Sequence, residues 1–451
     1  MTRKDFIKTS TLAAGVCAAP AILRAEGAKR VFKVGIVGCG GRGNGALGNI
    51  HAAAKMLCAE GCNVEIKVVA AADFFVEKAQ AVARKYGFDE KFAFGGANGY
   101  KQVMASDAEI VILTTPLNFR PIHTMAAVQA GKHVFAEKGV AVDGPGCRLM
   151  IEASKLAAQK GISIVAGTQR RHQRGYRLIA DALKKGIVSP ILGGNVYWNG
   201  AVPWVKTRAA GMTNAAYLCA NWLNFTELSG DHICEQHVHN IDIANWYIGR
   251  YPKSALGFGA RARRFSGNQY DFFGIDFDYG EGVHIHSMCR QIDGCSGGGV
   301  GEVFRTKDSI ISSGSSVRMI DSKKKLDLTG DFRDGNPYDI EHYDLLRSIM
   351  KTGPYFNEGE AVAISTACGV IGRMSCYTGQ QISLASILTD KNSSYYNMEC
   401  VPRPQDFEKD GDVPMPECGD NEWALPGRPW RGFGKNVKTS NKATFGAPLG
   451  F

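Results

Sequence analysis

The sequence predicts an α/β fold class: an N-terminal doubly wound parallel sheet, then an α+β region with a large, open-faced, mostly antiparallel sheet. Three observations carry this. Strand-like and helix-like stretches alternate from Val31 to about residue 160, the rhythm of β–α units joined into a parallel sheet. A glycine-rich turn, Gly38-Cys-Gly-Gly-Arg-Gly43, separates the first strand from the first helix. Beyond about residue 188 apolar and polar residues alternate between glycine turns, which suits strands with one solvated face.

In order, Val31–Val37 reads as a buried strand and the helix after the glycines runs through Ala54. Val64–Ala72 is a second strand, closed by Asp73, with a helix through Lys85. Ile110–Thr114, Val134–Ala136 and Ile162–Ala166 are further strands, separated by helix-like Ile122–Ala130 and Gly144–Gly161. Asn195–Trp198, Ala255–Arg263, Phe272–Tyr279, Val283–Cys289 and Ile310–Ile320 read as the strands of the second sheet. Two late helices, His342–Lys351 and Glu358–Tyr377, are expected to pack back on the core. From about residue 392 proline, glycine and charge dominate, the composition of an extended arm.

A chain of 451 residues has room for two domains. The net charge of +10 is scattered along it, which argues against a nucleic-acid footprint. Met1-Thr-Arg-Lys-Asp-Phe-Ile-Lys8 followed by a weakly apolar run to Leu23 reads as a targeting segment, too short to span a bilayer. It resembles a twin-arginine export signal with Lys4 in place of the second arginine, and implies a periplasmic or exported protein. No other segment is long and apolar enough to cross a membrane. Of thirteen cysteines, Cys147, Cys368 and Cys376 sit among apolar neighbours as small core residues, and no pair has a standard zinc spacing. Export would permit one or two disulfides.

The glycine turn has the context of a dinucleotide site. Gly38, Gly40 and Gly43 follow a strand and open a helix, so the first permits the tight turn, the second admits a pyrophosphate and the third lets helix pack on strand. Gly41 and Arg42 complete the loop, and the helix N-terminus offers its dipole to the phosphates. Asp73 ends the second strand, where a carboxylate accepts hydrogen bonds from both ribose hydroxyls. Phe74 follows it instead of an arginine that would neutralise a 2′-phosphate. NAD is therefore expected over NADP.

Thr115-Pro116-Leu-Asn-Phe-Arg120 and then Ala130-Gly-Lys-His-Val-Phe-Ala-Glu137-Lys138 resemble the glucose–fructose oxidoreductase/inositol dehydrogenase (Gfo/Idh/MocA) family, over nearly the whole chain from Val31 to about Leu388. The resemblance implies a Rossmann domain, a substrate domain on an open-faced sheet, and action on sugars, cyclitols or their glycosides. It adds Thr115, Pro116, Arg120, Glu137 and Lys138 to the cofactor residues. Family enzymes carry an acid and a histidine one helical turn apart facing the nicotinamide, which lands on Glu235 and His239. It implies His239 as base for the hydroxyl proton, Lys138 as electrostatic or relay partner and Glu235 as the group that orients the imidazole. Three positions depart from the pattern: Gly139 for proline, Arg120 for histidine, and Glu235 for aspartate.

Helical spacing puts His232, Glu235, His239 and Asp242 within an arc of about 80°. A divalent metal on His237 and His239 is the competing reading, but residues two apart on a helix diverge by about 200°, so no metal is expected. His237 is taken as a substrate-side or supporting residue. His284 and His286 share one strand face and read as polar surface. Arg170 and His172, after the strand at 162–166, lie where relatives contact substrate. Tyr197, Trp198, Asn199 and Trp204 are candidates to stack on a sugar and bond its hydroxyls, with packing in an aromatic-rich sheet as the alternative.

The expected organisation is a signal segment at 1–30, an NAD-binding Rossmann domain at 31–160, a substrate and oligomerisation domain at 161–391 and an arm at 392–451. The expected function is an exported NAD-dependent oxidoreductase acting on a secondary hydroxyl of a carbohydrate, with a homo-oligomer formed through the open sheet or the arm. Two alternatives stand beside it: an NAD-dependent glycoside hydrolase that oxidises, eliminates and reduces, and a non-enzymatic NAD or sugar sensor.

Overall fold

In a computed structural model the described residues are 29–416, apart from positions 265 and 315. Residues 1–28 of the expected signal segment and the last part of the arm lie outside them. The first sheet comprises β1 (Arg30–Val37), β2 (Val64–Asp73), β3 (Ala93–Gly95), β4 (Ile110–Leu113), β5 (His133–Ala136) and β6 (Ile164–Ala166). Its order is β3-β2-β1-β4-β5-β6, every pair parallel. Phe32, Val34, Ile36 and Phe135 are fully buried, each stabilising by about 1.5–3 kcal/mol. They are apolar runs because both sheet faces are covered, by α1 (Gly41–Ala59), α2 (Val76–Tyr86), α3 (Gly99–Ala105), α4 (Arg120–Gln129) and α5 (Gly144–Lys160). Strand order reverses between β1 and β4, which opens a crevice at their carboxyl ends.

After α6 (Arg174–Lys184) the chain builds an eight-stranded sheet. Its strands are β7 (Ile191–Gly200), β8 (Ser254–Ala260), β9 (Phe272–Asp278), β10 (His284–Gln291), β11 (Gly299–Thr306), β12 (Ser309–Ser312), β13 (Ser316–Met319) and β14 (Ile382–Ser383). The order is β13-β12-β11-β7-β10-β9-β8-β14, antiparallel except where β7 meets β10. The expected strand at Ile310–Ile320 is two, folded back as β12 and β13. β3, β11, β14, α3 and α6 are among the elements additional to those read from sequence.

Between β7 and β8 lie α7 (Asn214–Ala220), α8 (Thr226–Ser229), α9 (Asp231–Glu235) and α10 (Val238–Ile248). α11 (Pro337–Met350) and α12 (Gly359–Thr378) then return, followed by α13 (Leu384–Leu388). Tyr343, Leu345 and Leu346 of α11 enter the core of the first sheet. α12 serves both sheets: Val362 and Ala363 pack on the first, Val370, Ile371 and Met374 on the second. One apolar helix thereby fixes the two sheets relative to each other. The other face of the second sheet is open, with Phe258 76% exposed and Leu256, Met288 and Val303 partly so. His284 and His286 are on this outer face.

The described part of the arm runs as a strap across the two regions. Glu408 accepts from Tyr100 Oη at 3.1 Å and Lys101 Nζ at 2.7 Å. Asp412 accepts from the backbone N–H groups of Asn214 (2.7 Å) and Ala215 (2.9 Å), capping α7. Between them Phe407 packs edge-on against Phe119, centroids 5.2 Å apart. Among the described residues no helix is long and apolar enough to cross a membrane, and eleven cysteines are free.

Candidate active site

Backbone geometry explains the glycines. Gly38 has φ +97, and a Cβ there would sit 2.7 Å from the Thr114 carbonyl carbon. A Cβ at Gly43 would meet the Gly38 oxygen at 2.1 Å, so α1 packs flush on β1. Gly40 and Gly41, by contrast, have nothing within 4 Å of a Cβ: the side from which a pyrophosphate would reach the amides is open. The crevice above is lined by Gly38, Gly40, Asp73, Thr115 and Pro116 among others. Asp73 Oδ2 accepts from Cys39 N at 2.7 Å and Oδ1 from Phe75 N at 3.0 Å. The carboxylate is thus anchored beside the loop, with lone pairs left for ribose hydroxyls. These residues fit a dinucleotide.

The crevice lining also includes residues that sequence reasoning missed, among them Lys78, Tyr100, His123, Cys219 and Trp222. Lys78 sits one helical turn beyond Phe74, a spacing that could have flagged it; its ammonium lies 4.4 Å from the Phe75 ring centroid. Cys219 and Trp222 come from the α7 region, which roofs the crevice. Tyr217, Leu218, Phe225, Phe119 and the strap residues Phe407 and Val413 form one apolar cluster behind that roof.

Three predicted cofactor residues turn away from the crevice. Arg42 donates to Glu137 and approaches Glu341 at 3.5 Å, so Arg42 and Glu137 neutralise each other behind the loop. Arg120 donates to the backbone carbonyls of Lys138 and Gly139.

The catalytic candidates meet at the boundary of the two sheets. Lys138 Nζ donates to Glu235 Oε1 at 2.7 Å and also to the Glu235 carbonyl. This corrects the expectation that Glu235 orients His239: the carboxylate pairs with lysine, and the helix that was to stack them is broken. α9 ends at Glu235, Gln236 has φ −107, and α10 starts at Val238. His237 N reaches back to the His232 oxygen at 3.1 Å instead of continuing the helix. The smooth 80° stripe therefore does not form. His232 donates to the Trp198 carbonyl at 2.9 Å, and Asp242 pairs with Arg171 at 2.7 Å and accepts from Ser365.

His239 is 6% exposed and its Nδ1 has no partner. Its ring lies parallel to Trp198, centroids 5.8 Å apart and planes at 21°. Burial, then the cations of Lys138 and Arg170, hold its pKa well below the ordinary imidazole value. It is a neutral imidazole at pH 7, the form that accepts a proton.

Arg170 belongs to this group: it pairs with Glu302 and its guanidinium stands 5.8 Å from the Trp198 ring centroid. The other substrate candidates do not. His172 is fully buried between Asp344 (2.7 Å) and Glu358 (3.3 Å), tying α11 and α12 to the end of β6. His237, also fully buried, is 2.7 Å from Ser287 Oγ and anchors the helix break to β10. Tyr197 and Asn199 point to the open outer face, because Val196 and Trp198 take the inward positions of β7. Trp204 packs edge-to-face on Trp222, centroids 6.1 Å apart, behind the nucleotide crevice. Among the described residues no three His, Cys, Asp or Glu side chains are placed to share a metal ion.

Fold and crevice define a dinucleotide-binding protein of the Rossmann class with an appended sheet domain. Residues 32–187, 156 of the 451, match the model of the oxidoreductase family with an NAD-binding Rossmann fold, Gfo/Idh/MocA. An inositol 2-dehydrogenase of Salmonella typhimurium is 28% identical over 226 residues, 49% of this chain and 56% of the relative. The chain thus spans about half the length of the curated relatives it matches. A solved NAD-binding oxidoreductase from Klebsiella pneumoniae superposes with a TM-score of 0.61 at 16% identity, covering 78% of this chain and 98% of that one. A levoglucosan dehydrogenase solved with NADH and levoglucosan gives 0.60 at 14% identity, covering 79% and 100%.

Proposed function

We propose that the protein is an NAD-dependent oxidoreductase acting on a secondary hydroxyl of a sugar, cyclitol or glycoside. The observation that carries the reading is the Lys138–Glu235 ion pair, with the neutral His239 stacked on the Trp198 ring and facing Lys138. NAD, when bound, supplies a hydride acceptor for the carbinol carbon. His239 takes the hydroxyl proton, and the Lys138 ammonium stabilises the developing alkoxide. Glu235 holds that ammonium in place, and Trp198 offers a flat apolar surface for a pyranose or cyclitol C–H face. Likeness to an inositol 2-dehydrogenase and a levoglucosan dehydrogenase supports this substrate class. A polyol and glycoside panel with NAD, followed at 340 nm and by mass, tests it: no NADH and no product from any of them sinks the reading.

A second reading is favoured by the roof over the crevice. The α7 region roofs the crevice and the strap packs behind it; a dinucleotide retained there would supply both the oxidation and the return of hydride. That suits a redox-neutral glycosidase: a hydroxyl is oxidised, the adjacent C–H loses its proton, the aglycone is eliminated, water adds, and hydride reduces the ketone. Glycoside cleavage without net NADH selects it over the dehydrogenase; ligand binding without any turnover selects a sensor. Export through a twin-arginine-like signal agrees with a retained cofactor, since that route carries folded, loaded proteins; cell fractionation of the full chain tests export. The exposed Phe258, Leu256 and Met288 support a homo-oligomer through the open sheet, checked by light scattering.

A further inference from the structure

We infer that Arg120 is a positioning residue: its guanidinium holds the Lys138–Gly139 turn in the left-handed shape that directs the Lys138 ammonium at Glu235. Only its effect on turnover rests on the oxidoreductase reading above.

Gly139 has φ +57, a conformation closed to proline and strained for any side chain. A Cβ there would lie 2.4 Å from Leu117 Cδ2 and 2.7 Å from the Cys234 carbonyl oxygen, so the turn is pressed against the end of α9. The resemblance leads one to expect proline here, which would stiffen the turn through its ring. With glycine the stiffness has to come from elsewhere. Arg120, at the start of α4, donates from Nη1 to the carbonyls of both Lys138 and Gly139. It is 4% exposed, makes no salt bridge among the described residues, and its Nε is buried without a partner. Glu137 and Glu235 act on it only at longer range. Burying a guanidinium so completely is costly, and two peptide oxygens of one turn are its recorded hydrogen-bond acceptors. The two departures from the family pattern thus touch each other, one removing a rigid ring and the other clamping the freed backbone. The same turn then carries Lys138 onto both the carboxylate and the carbonyl of Glu235.

The test uses Arg120→Ala, Arg120→Gln and Arg120→Lys in the full chain. Lys138 is acetylated with acetic anhydride across pH and quantified by peptide mass against the exposed Lys55, with no substrate needed. Loss of the clamp should raise Lys138 labelling about tenfold with Lys55 unchanged, and Arg120→Lys should restore part of the protection. Turnover should fall by about 10², as expected when a reacting group is misplaced by about 1 Å, with NAD affinity changed less than about twofold. If Arg120→Ala does not fold, the Gln and Lys variants carry the same readout. Unchanged Lys138 labelling in a folded variant overturns the inference, as does loss of activity that merely follows the folded fraction. A wild-type protein that oxidises no polyol overturns the functional reading alone, because the labelling still decides the role of Arg120.

Discussion

If the strap retains the cofactor, Phe407 is the side chain to remove. It is 7% exposed and packs edge-on against Phe119 within the cluster that backs the crevice roof. Truncating a buried Phe to Ala costs about 3–5 kcal/mol in a core; at the edge of a domain the lower figure applies. Since about 1.4 kcal/mol is tenfold, Phe407→Ala should shift the docked-to-undocked ratio of the strap by about 10². Release that requires undocking should accelerate by a similar factor. The assay is exchange of bound radiolabelled NAD against excess unlabelled NAD, with Phe258→Ala on the open sheet as control. An exchange rate within about twofold of wild type, in a protein whose melting shows that packing was lost, would refute the strap as a barrier.

His239→Ala should lower turnover by about 10² or more with NAD affinity nearly unchanged, and near-normal activity on a true substrate would remove it from the mechanism. Because burial and two cations depress its pKa, the acid limb of kcat/KM assigned to His239 should fall well below pH 6.5; a limb at or above 6.5 contradicts the neutral-imidazole assignment. Direct titration should show NAD binding more tightly than NADP, with Asp73→Ala narrowing the gap and Lys78→Ala widening it, since Lys78 is the cation available to a 2′-phosphate in the crevice; tighter wild-type binding of NADP would overturn this. Burial raises the Glu227 carboxyl to about 7; a raised pKa contributes stability below about pH 4.5 that is lost as pH rises to about 7, by up to roughly 3 kcal/mol. Glu227→Gln should therefore gain stability relative to wild type across that window in urea melts, and a constant difference would show that Glu227 does not titrate there.

The parallel sheet was legible because its signals are local. Apolar runs such as Val31–Val37 and Ile110–Thr114, each followed by a turn residue, appear as strands within a residue or two of their observed ends. The glycine loop was legible for the same reason: Gly38 and Gly43 are demanded by contacts with Thr114 and with Gly38 itself. β11 was hidden by its glycines at 299 and 301. At β7 the candidates Tyr197, Trp198 and Asn199 spanned both phases of the strand. Val196 is the residue that has to face inward, so Trp198 follows it in and Tyr197 and Asn199 go out. That phase could have been read from the sequence.

The break at Gln236–His237 could not, because its causes are tertiary. Periodicity runs smoothly through the segment, and neither glycine nor proline interrupts it. The constraint enters upstream, where Gly230 and Asp231 take φ +69 and +67 in succession. Asp231 is kept in that conformation by Thr226 Oγ1 and by Tyr377 Oη at 2.8 Å, the latter from α12 nearly 150 residues away. The new direction of α9 carries Glu235 to Lys138, while His237, fastened to Ser287, starts α10 on another course. The chemical consequence is a division of labour. Lys138 is held to Glu235, a position from which, on the proposed reading, it would face a developing alkoxide. His239 has no carboxylate partner among the described residues and faces cations, which on the proposed reading would disfavour its protonated form. Had the helix run straight, Glu235 could have bonded His239, stabilised the imidazolium and left Lys138 without its anchor.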